Sequence, residues 1–463
     1  MVPPRPRAIL SRGPAYGQAG VTGVLDFRGL IRTLEDRGEL RRIRRAVDRG
    51  TELPALMGQV DRARRAYLFE NVAGSAFPLV GGLLNRYECY GWALGTPPGE
   101  SFGRDDLDAR VAAARQRPLA PREVQRGAVQ ERILREGAID LAALPIPTMF
   151  EHDSGPFITG ACGITRDPGS GALNAGVYRT VVLGKDRLSV NASATSDLKL
   201  AYAEAARRGN PMPIALAIGV HPALMMASVC KLPRGEPECA LAGALRREPL
   251  ELVRCQTSDL LVPADAEIVI EAEVDPASSF ENTLGEWSGL YGPDRAPVAR
   301  VTAITHRADA LFYAILSGRN PEHTSLASVT AFEFQHIIRD ALRRALPQAR
   351  DVHVYADHEL GSMMHVVLSM DKADDAAPMR LAREAFQVQI EMGGMQLPCE
   401  RIVKRVIVVD ADVDVHDMPD VEWAMWSRTA RAAKFAVLGE ARSWDLERCA
   451  KPGVGSLRIA VDA

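Results

Sequence analysis

Apolar residues in the first part of the chain follow the spacing of an amphipathic helix. Phe27, Leu30 and Leu34 recur on one helical face, and Gly38 provides a stop signal. A short apolar strand follows over residues 66–69, and the polar sequence after it favours further helices. These patterns predict a first domain in which helices and strands are mixed.

The middle of the chain has a different sequence pattern, in which short apolar segments typical of strands are separated by residues typical of turns. Residues 160–165 and 175–183 read as strands, with a Pro- and Gly-containing turn between them. Between Ala266 and Val274 apolar and charged residues alternate, which predicts a strand with one buried face. Closely spaced strands with few helices indicate a barrel-like domain.

The last third of the chain alternates between helical and strand patterns. In chain order, the predicted elements are a helix over 329–346, strands over 352–355 and 364–369, a helix over 378–392, a strand over 402–409 and a helix over 421–429. This alternation predicts an α/β sheet with crossover helices.

These changes in the pattern of apolar and polar residues divide the chain into four parts. We expect a flexible leader over 1–24 and an N-terminal α/β domain over 25–125. The barrel-like central domain takes 126–322, and the C-terminal α/β domain takes 323–463.

Composition and charge narrow the class of protein. The 463 residues are 47% apolar and 25% charged, and the net charge of -3 gives no basic excess for nucleic acid or an anionic membrane. No apolar run approaches the ~18–20 residues that span a bilayer. The seven cysteines are dispersed without a Cys-x-x-Cys pair, so we expect reduced thiols in a cytoplasmic protein.

Two polar residues on a predicted strand are the first candidates for a binding site. Asn174 offers a neutral carbonyl oxygen to a hard cation, and Arg179 can grip a carboxylate or phosphate through parallel hydrogen bonds. Their spacing puts them on opposite strand faces unless a bulge or turn intervenes. The alternative, and the commoner case for such a pair alone, is a surface ion pair beside a turn.

Three carboxylates stand out as well. Glu238 lies among small apolar residues, where a carboxylate needs a cation or hydrogen-bond donors; the alternative is a glutamate in a helix first turn. Glu281 and Glu286 flank a Gly-containing turn before Trp287, which can supply an apolar wall. Paired carboxylates with separated pKa values can run acid and base steps. The alternative is a polar loop with two solvated acids.

At these positions the sequence resembles the UbiD family of reversible decarboxylases. The resemblance covers nearly the whole chain, and the order of the motifs is more specific than any single motif. The motifs are Asp26-Phe-Arg-Gly-Leu30, Asn174-Ala-Gly-Val-Tyr-Arg179, Leu183-Gly-Lys-Asp-Arg-Leu188, Ala217-Ile-Gly-Val-His-Pro222, Glu238-Cys-Ala-Leu-Ala-Gly-Ala-Leu-Arg246, Val262-Pro-Ala-Asp-Ala-Glu-Ile-Val-Ile-Glu271, Gly285-Glu-Trp-Ser-Gly289, Ser317-Gly-Arg319 and Ile407-Val-Val-Asp410.

The resemblance implies an N-terminal α/β domain, a central split β-barrel that binds flavin, and a C-terminal α/β domain. Its cofactor is prenylated FMN, made by a partner flavin prenyltransferase, with Mn²⁺ or Mg²⁺ and a monovalent cation such as K⁺ at the phosphate. Asn174 and Glu238 are then metal ligands, and Lys404 contacts the cofactor. The residues lining the flavin are Val177, Tyr178, Arg179, Asn191, Ala192 and Ser193, and those at the phosphate or monovalent cation are Ser228, Val229 and Cys230.

The implied activity is non-oxidative decarboxylation of an unsaturated aromatic, heteroaromatic or polyenoic acid through a covalent prenyl-FMN adduct. Arg179, Glu281 and Glu286 form the implied catalytic network. Arg179 holds the carboxylate or orients the glutamates, Glu281 tunes Arg179, and Glu286 protonates the carbon after CO₂ leaves. Glu286 therefore needs a raised pKa in a dry pocket.

The metal-binding part departs from the family pattern. Relatives commonly place a metal-binding histidine after the asparagine, and Thr195 takes that position here. Mg²⁺ or Mn²⁺ tolerates an all-oxygen shell, for which Asp197 is a candidate substitute ligand.

Two other functions remain open. The missing histidine favours a non-catalytic or accessory subunit with weak flavin binding, and a carboxylase subunit within a larger complex is the other alternative. The retained Asn174, Arg179, Glu238, Glu281 and Glu286 favour an active carboxy-lyase. We expect a homodimer or larger homo-oligomer, in which assembly differs from relatives that carry a further C-terminal helix.

Overall fold

The computed structural model describes residues 23–463 except 98, 194–195, 287, 357–362, 393–394, 430–433, 444–446, 448 and 451–454. Most of the expected leader, the expected ligand position Thr195 and the expected apolar wall Trp287 lie outside the described residues. Within the described part, no helix combines the length and the apolar character needed to cross a bilayer.

The N-terminal part is a small sheet with helices packed on it. The strands are β1 (Leu40–Ile43), β2 (Ala66–Phe69) and β3 (Leu79–Gly81), and the helices are α1 (Phe27–Asp36), α2 (Glu52–Arg62), α3 (Tyr87–Ala93) and α4 (Arg104–Arg115). The apolar stripe of α1 is buried as its spacing predicts, and Asp26 caps α1 by accepting a hydrogen bond from Gly29 N.

Strands dominate the central part, and all but two of them are short. They are β4 (Arg122–Val124), β5 (Arg132–Leu134), β6 (Phe157–Ile158), β7 (Ala161–Arg166), β8 (Leu173–Val177), β9 (Thr180–Val182), β10 (Arg187–Val190), β11 (Met212–Ile218), β12 (Glu251–Arg254), β13 (Leu261–Pro263), β14 (Ile268–Gly285), β15 (Tyr291–His306) and β16 (Phe312–Tyr313). The helices are α5 (Asp197–Arg208), α6 (Pro222–Ala227) and α7 (Glu238–Arg246), with 3-10 turns at Ala128–Gln130 and Leu141–Ala143.

Nine of these strands form one sheet that curls on itself. Its order is β6-β9-β10-β15-β14-β11-β7-β8, with β5 paired to β15. Only Tyr178 and Arg179 separate β8, at one end of this order, from β9, near the other end. The chain takes three Cα–Cα steps of ~3.8 Å from the end of β8 to the start of β9. In a flat sheet with strands ~4.8 Å apart, this distance is too short to connect strands at opposite ends of the order. The two ends therefore meet, which gives the expected split barrel with Arg179 at its seam, the β8–β9 junction.

The smaller sheets tie the central part to its neighbours. β16 pairs in parallel with β3, so this strand completes the N-terminal sheet, while β13, β12 and β4 form a separate three-stranded sheet. One continuous apolar core runs through both parts and includes Leu30, Phe69, Leu216 and Ile270.

The C-terminal part is an α/β sheet with its own core. Its elements are α8 (Pro321–Ala345), β17 (Asp351–Tyr355), β18 (Met364–Met370), α9 (Ala377–Gln387), β19 (Gln389–Met392), β20 (Met395–Pro398), a 3-10 turn (Cys399–Arg401), β21 (Val403–Asp410), α10 (Met418–Arg428), β22 (Phe435–Ala441) and β23 (Ser456–Asp462). The sheet order is β17-β18-β21-β23-β22. The mixed α/β fold class with a central split barrel is confirmed.

Candidate active site

One strand and two helix N-termini bring three polar side chains together, which we call the Asn174 group: Asn174, Asp197 and Glu238. Asn174 is buried on β8, Asp197 is the first residue of α5, and Glu238 is the first residue of α7. Asn174 Nδ2 lies 3.3 Å from Glu238 Oε1 and 3.5 Å from Asp197 Oδ2. Glu238 Oε2 also accepts from Ala175 N at 2.8 Å. Glu238 thus opens a helix, but its carboxylate binds the neighbouring strand.

The electrostatics of the Asn174 group favour a bound cation. Burial raises the pKa of Glu238 to about 7, against the hydrogen bond from Ala175, and the charge of Asp197 raises it further. Burial also lowers the pKa of Lys231, against the attraction of the two carboxylates. A buried carboxylate such as that of Glu238, next to the partly buried carboxylate of Asp197, is costly unless positive charge compensates it.

The chemistry of the donor set fits a hard cation such as Mn²⁺ or Mg²⁺. Among the described residues, no three His, Cys, Asp or Glu side chains converge as a metal site. The Asn174 group does not meet that criterion, because it has two carboxylates and its third member is an amide. Asn174 Oδ1 accepts from Tyr178 OH at 3.2 Å, so the amide nitrogen faces the carboxylates. A flip of the amide would turn its oxygen toward them. Asp197 therefore lies beside the two residues that are expected to bind the metal.

Arg179 and Glu286 meet at the seam of the barrel. Arg179 Nη2 donates to Glu286 Oε1 at 2.7 Å, and the side chains are 21% and 2% exposed. Arg179 Nη1 is buried without a hydrogen-bond partner among the described residues. The break between β8 and β9 interrupts the strand alternation, which is the turn that the spacing of Asn174 and Arg179 requires.

The backbone around Glu286 is held by a tight apolar contact. A Cβ atom on Gly285 would lie 2.3 Å from Phe150 Cδ2, and one on Gly318, whose φ is +88°, would lie 2.9 Å from Phe150 Cζ. Gly285 N also donates to Asp153 Oδ1 at 2.9 Å. Only glycines let the Phe150 ring pack between these two segments, one of which leads directly into Glu286.

The expected contact between Glu281 and Arg179 is not found. The Glu281 side chain is 64% exposed, and its Oε2 accepts from Arg295 Nη2 at 2.8 Å. Strand alternation on β14 explains this position, because the neighbouring Asn282 is buried and exchanges two amide hydrogen bonds with Asn191, at 3.1 and 2.9 Å. Glu281 therefore faces away from the buried pair in this conformation.

The expected cofactor-lining residues occupy different environments. Asn191 and Ala192 are buried, Val177 and Tyr178 are partly buried, and Ser193 is exposed.

The expected phosphate contacts follow α6. Ser228 Oγ lies 3.2 Å from Cys162 Sγ, and Cys230 Sγ donates to Met226 O at 3.4 Å. Cys230 is partly buried, and desolvation raises the pKa of its thiol to about 12, so this cysteine is not a nucleophile. Val229, between them, is partly buried.

Lys404 lies on β21 of the C-terminal part. Its ammonium contacts the carboxylate of Glu447 and lies 2.8 Å from Ser456 Oγ. The structure therefore gives Lys404 partners inside the C-terminal domain.

His323 is a residue that the sequence did not reveal, and the charges of Arg179 and Glu286 act on it. Its ring nitrogen Nδ1 lies 2.9 Å from Gly318 O and so carries a hydrogen, which leaves Nε2 as an acceptor. Burial lowers the pKa of His323, with opposing effects from the charges of Glu286 and Arg179. The imidazole is therefore neutral at pH 7. The sequence feature that could have identified His323 is its position just after the Ser317-Gly-Arg319 motif.

Three family profiles match the chain in the order of its three parts. The N-terminal domain of 3-octaprenyl-4-hydroxybenzoate carboxy-lyase (UbiD) matches residues 31–104, its Rift-related domain 122–320 and its C-terminal domain 335–463.

Solved structures share the fold over nearly their whole length. HmfF from Pelotomaculum thermopropionicum, a UbiD-class enzyme in complex with FMN, has a TM-score of 0.79 and 34% identity, covering 95% of this chain and 94% of that chain. An evolved dimeric form of HmfF in complex with prFMN gives a TM-score of 0.75 at 34% identity, covering 94% of each chain.

Two further proteins extend this comparison. The apo 3,4-dihydroxybenzoic acid decarboxylase AroY of Klebsiella pneumoniae has a TM-score of 0.76 and 26% identity, covering 95% of this chain and 94% of that chain. Sll0936 of Synechocystis sp., an uncharacterized protein, is 28% identical over 95% of this chain and 89% of its own length.

Proposed function

Because this chain belongs to the UbiD family of carboxy-lyases, we propose that it removes CO₂ from an unsaturated aromatic, heteroaromatic or polyenoic acid with prenylated FMN as cofactor. The observation that carries the proposal is the ion pair between the partly buried Arg179 and the buried carboxylate of Glu286, at the seam of the central barrel. HmfF binds FMN and prFMN, and AroY acts on an aromatic acid, which supports the cofactor and the substrate class.

Arg179 holds the substrate carboxylate in this proposal. Its Nη2 donates to Glu286, while its buried Nη1 keeps a hydrogen-bond donor without a partner among the described residues. A guanidinium can donate to two anions in fixed directions, so Arg179 can bind the substrate carboxylate beside Glu286. Leaving this donor unpaired would be costly without a ligand.

Glu286 donates the proton that completes the reaction. Loss of CO₂ leaves an electron pair on the substrate carbon, and a proton must reach that carbon. Glu286 is 2% exposed, so it can deliver a proton from its own carboxyl group away from bulk water. It takes up another proton from solvent before the next turnover. The Glu281 carboxylate forms an ion pair with Arg295, so Glu281 contributes to this site only if its carboxylate breaks that pair and binds Arg179.

When bound, prenylated FMN supplies an electrophilic ring system that takes up the electron pair released with CO₂. We assign the Asn174 group to a divalent cation, Mn²⁺ or Mg²⁺, with Asp197 in place of the histidine of relatives. Ser228, Val229 and Cys230 would hold the phosphate and a monovalent cation such as K⁺. The residues assigned to the flavin are Val177, Tyr178, Asn191, Ala192, Ser193 and Lys404.

Production with a flavin prenyltransferase tests the proposal. Protein made with that partner should carry a flavin with the mass of prenylated FMN and release CO₂ from at least one acid in a panel of aromatic, heteroaromatic and polyenoic acids. Protein made without it is the matched control and should release none. Cofactor-loaded protein that is inactive on the whole panel, while HmfF loaded in the same way is active, contradicts the proposal and favours an accessory subunit.

A further inference from the structure

β22 is an edge strand of the C-terminal sheet, and it carries exposed apolar residues. Among the described residues it pairs only with β23, so one row of its backbone N–H and C=O groups has no strand beside it. Phe435 is 40% exposed and Val437 is 73% exposed. An edge with apolar side chains is a template for pairing with another strand.

Phe435 and Val437 lie on the face of the sheet that α10 covers. They stand opposite Val461 and Ile459 of β23, and residues directly opposite on antiparallel strands point to the same face. Val461 belongs to the apolar cluster that includes Val421 of α10, and Ile459 packs against that cluster. The apolar face of the sheet therefore extends past α10 onto the edge strand.

The charges on this segment are arranged so that the strand can pair with itself. Lys434 comes three residues before Val437, and Glu440 comes three residues after it. Glu440 is exposed, while Lys434 Nζ shares Asp462 Oδ1 with Lys372, at 3.2 and 3.1 Å. Antiparallel pairing of two such strands brings the lysine of each copy toward the glutamate of the other, so the segment is complementary in charge to itself.

We propose that β22 is the contact between two copies of this chain, paired antiparallel across a two-fold axis at Val437. The sequence predicts a homo-oligomer but does not locate its interface, and a two-fold contact requires a surface that complements itself. The register shift against β23 falls after Leu438, so Val437 lies on the regular part of the strand. A Cβ atom added to Gly439 would meet nothing within 4 Å, which leaves room for Phe435 of the second copy.

Pairing at β22 joins the two five-stranded sheets into one. The two-fold axis is then perpendicular to the sheet, so the α10 helices of both copies lie on the same side of it. Trp423 and Trp426 of α10 are exposed and add aromatic surface on that side. Aromatic side chains are enriched in the interfaces between proteins.

The mass of the assembly tests the contact, measured by light scattering on the full chain. Val437→Glu sets two carboxylates against each other at the axis and should halve the mass of the wild-type assembly. Its circular dichroism should match that of wild type, because Val437 is exposed. Ile133→Glu, at an exposed apolar residue of β5, is the matched control and should keep the wild-type mass.

Disulfide formation tests the position of the axis. In a Cys449→Ser background, which removes an exposed cysteine, Val437→Cys should form a covalent dimer under mild oxidation. Its Cβ atom would lie ~5 Å from its own copy across the axis, within the reach of a disulfide after a small adjustment. Phe435→Cys should not cross-link, because it would lie about 13 Å along the strand from its own copy.

Three results would overturn the inference. One is a wild-type chain that is monomeric, which would leave the edge strand to a different partner. Another is a Val437→Glu protein with the wild-type mass, which would place the contact between copies elsewhere. The third is a Val437→Cys protein that cross-links no faster than Phe435→Cys does.

Discussion

Arg179 and Glu286 are 107 residues apart in the chain, yet Nη2 of one lies 2.7 Å from Oε1 of the other. The pair forms because Arg179 lies at the barrel seam and Glu286 directly follows the end of β14. Burying an ion pair adds little to the free energy of unfolding. The contact between the buried Glu286 carboxylate and the Arg179 guanidinium is therefore better explained by function than by stability.

Glu286→Gln should abolish turnover and leave FMN binding intact. The amide keeps the shape of the side chain but cannot donate a proton to carbon, and loss of a general acid costs ~10²–10⁴ in rate. Single-turnover CO₂ release and FMN titration measure the two properties. Wild-type turnover in this variant would remove Glu286 as the acid.

Glu281→Gln is the matched control for the folding of that variant. Its carboxylate is exposed on Arg295, so its removal should change the free energy of unfolding by less than ~1 kcal/mol. A larger loss of unfolding free energy in urea denaturation would show that Glu281 stabilises the fold.

His323→Leu should change substrate preference and not flavin affinity. The neutral ring offers Nε2 as an acceptor, and the charges of Arg179 and Glu286 act on the ring. Acids that carry a hydroxyl or N–H group near this position should lose at least ~10-fold in kcat/KM, and acids without one should lose less. His306→Leu, whose ring bonds Arg307 O outside the site, is the control. Equal losses across the acid panel would contradict this role.

Gly285→Ala should destabilise the protein and disturb Glu286. A Cβ atom would lie 2.3 Å from the Phe150 ring, and such overpacking costs ~1–3 kcal/mol. Gly184→Ala, where nothing lies within 4 Å of the added Cβ, should be close to neutral. Adding Phe150→Leu to Gly285→Ala should recover part of the stability, and a double-mutant cycle without coupling would refute the contact.

Asp61 on α2 and Glu322 in the first turn of α8 form a buried carboxylate pair, which gives the stability a pH dependence. Glu322 N donates to Asp61 Oδ2 at 3.2 Å, and the Glu322 carboxylate accepts from Gly82 N at 2.6 Å and Leu84 N at 2.9 Å. Burial, and then the charge of the partner for Glu322, raises the pKa of both carboxyl groups above their usual range. The folded chain therefore keeps protons that the unfolded chain releases.

The sign of this effect follows from that proton count. Above the unfolded pKa of ~4, the folded state binds more protons, so the free energy of unfolding falls as pH rises toward the raised folded pKa values. Asp61→Asn removes one ionisable group, and its stability should fall less than that of wild type between pH 5 and pH 8 in urea denaturation. Asp105→Asn, at a fully exposed carboxylate, should keep the wild-type slope.

Sequence patterns predicted elements well where one face of the element is buried. The apolar stripe of α1 appears as expected, because burial of one face fixes the period. The strand predicted between Ala266 and Val274 is present at the start of β14, but the expectation of one buried face was wrong there, since both faces are buried and Glu267 and Glu271 are buried with them. The helix predicted over 378–392 was wrong in its last five residues, since α9 ends at Gln387 and the chain turns into β19. Val388 adopts an extended conformation there, and nothing in the local pattern marks that change.

By itself, the sequence determined the family, the mixed α/β class and the residue types of the site, because motif order and strand or helix period are local properties. Only the tertiary structure decided which of those residues meet. Curling of the central sheet brings Arg179 to Glu286, strand alternation turns Glu281 outward to Arg295, and two helix starts bring Asp197 and Glu238 to Asn174. These relationships depend on contacts between distant segments, which no local pattern encodes.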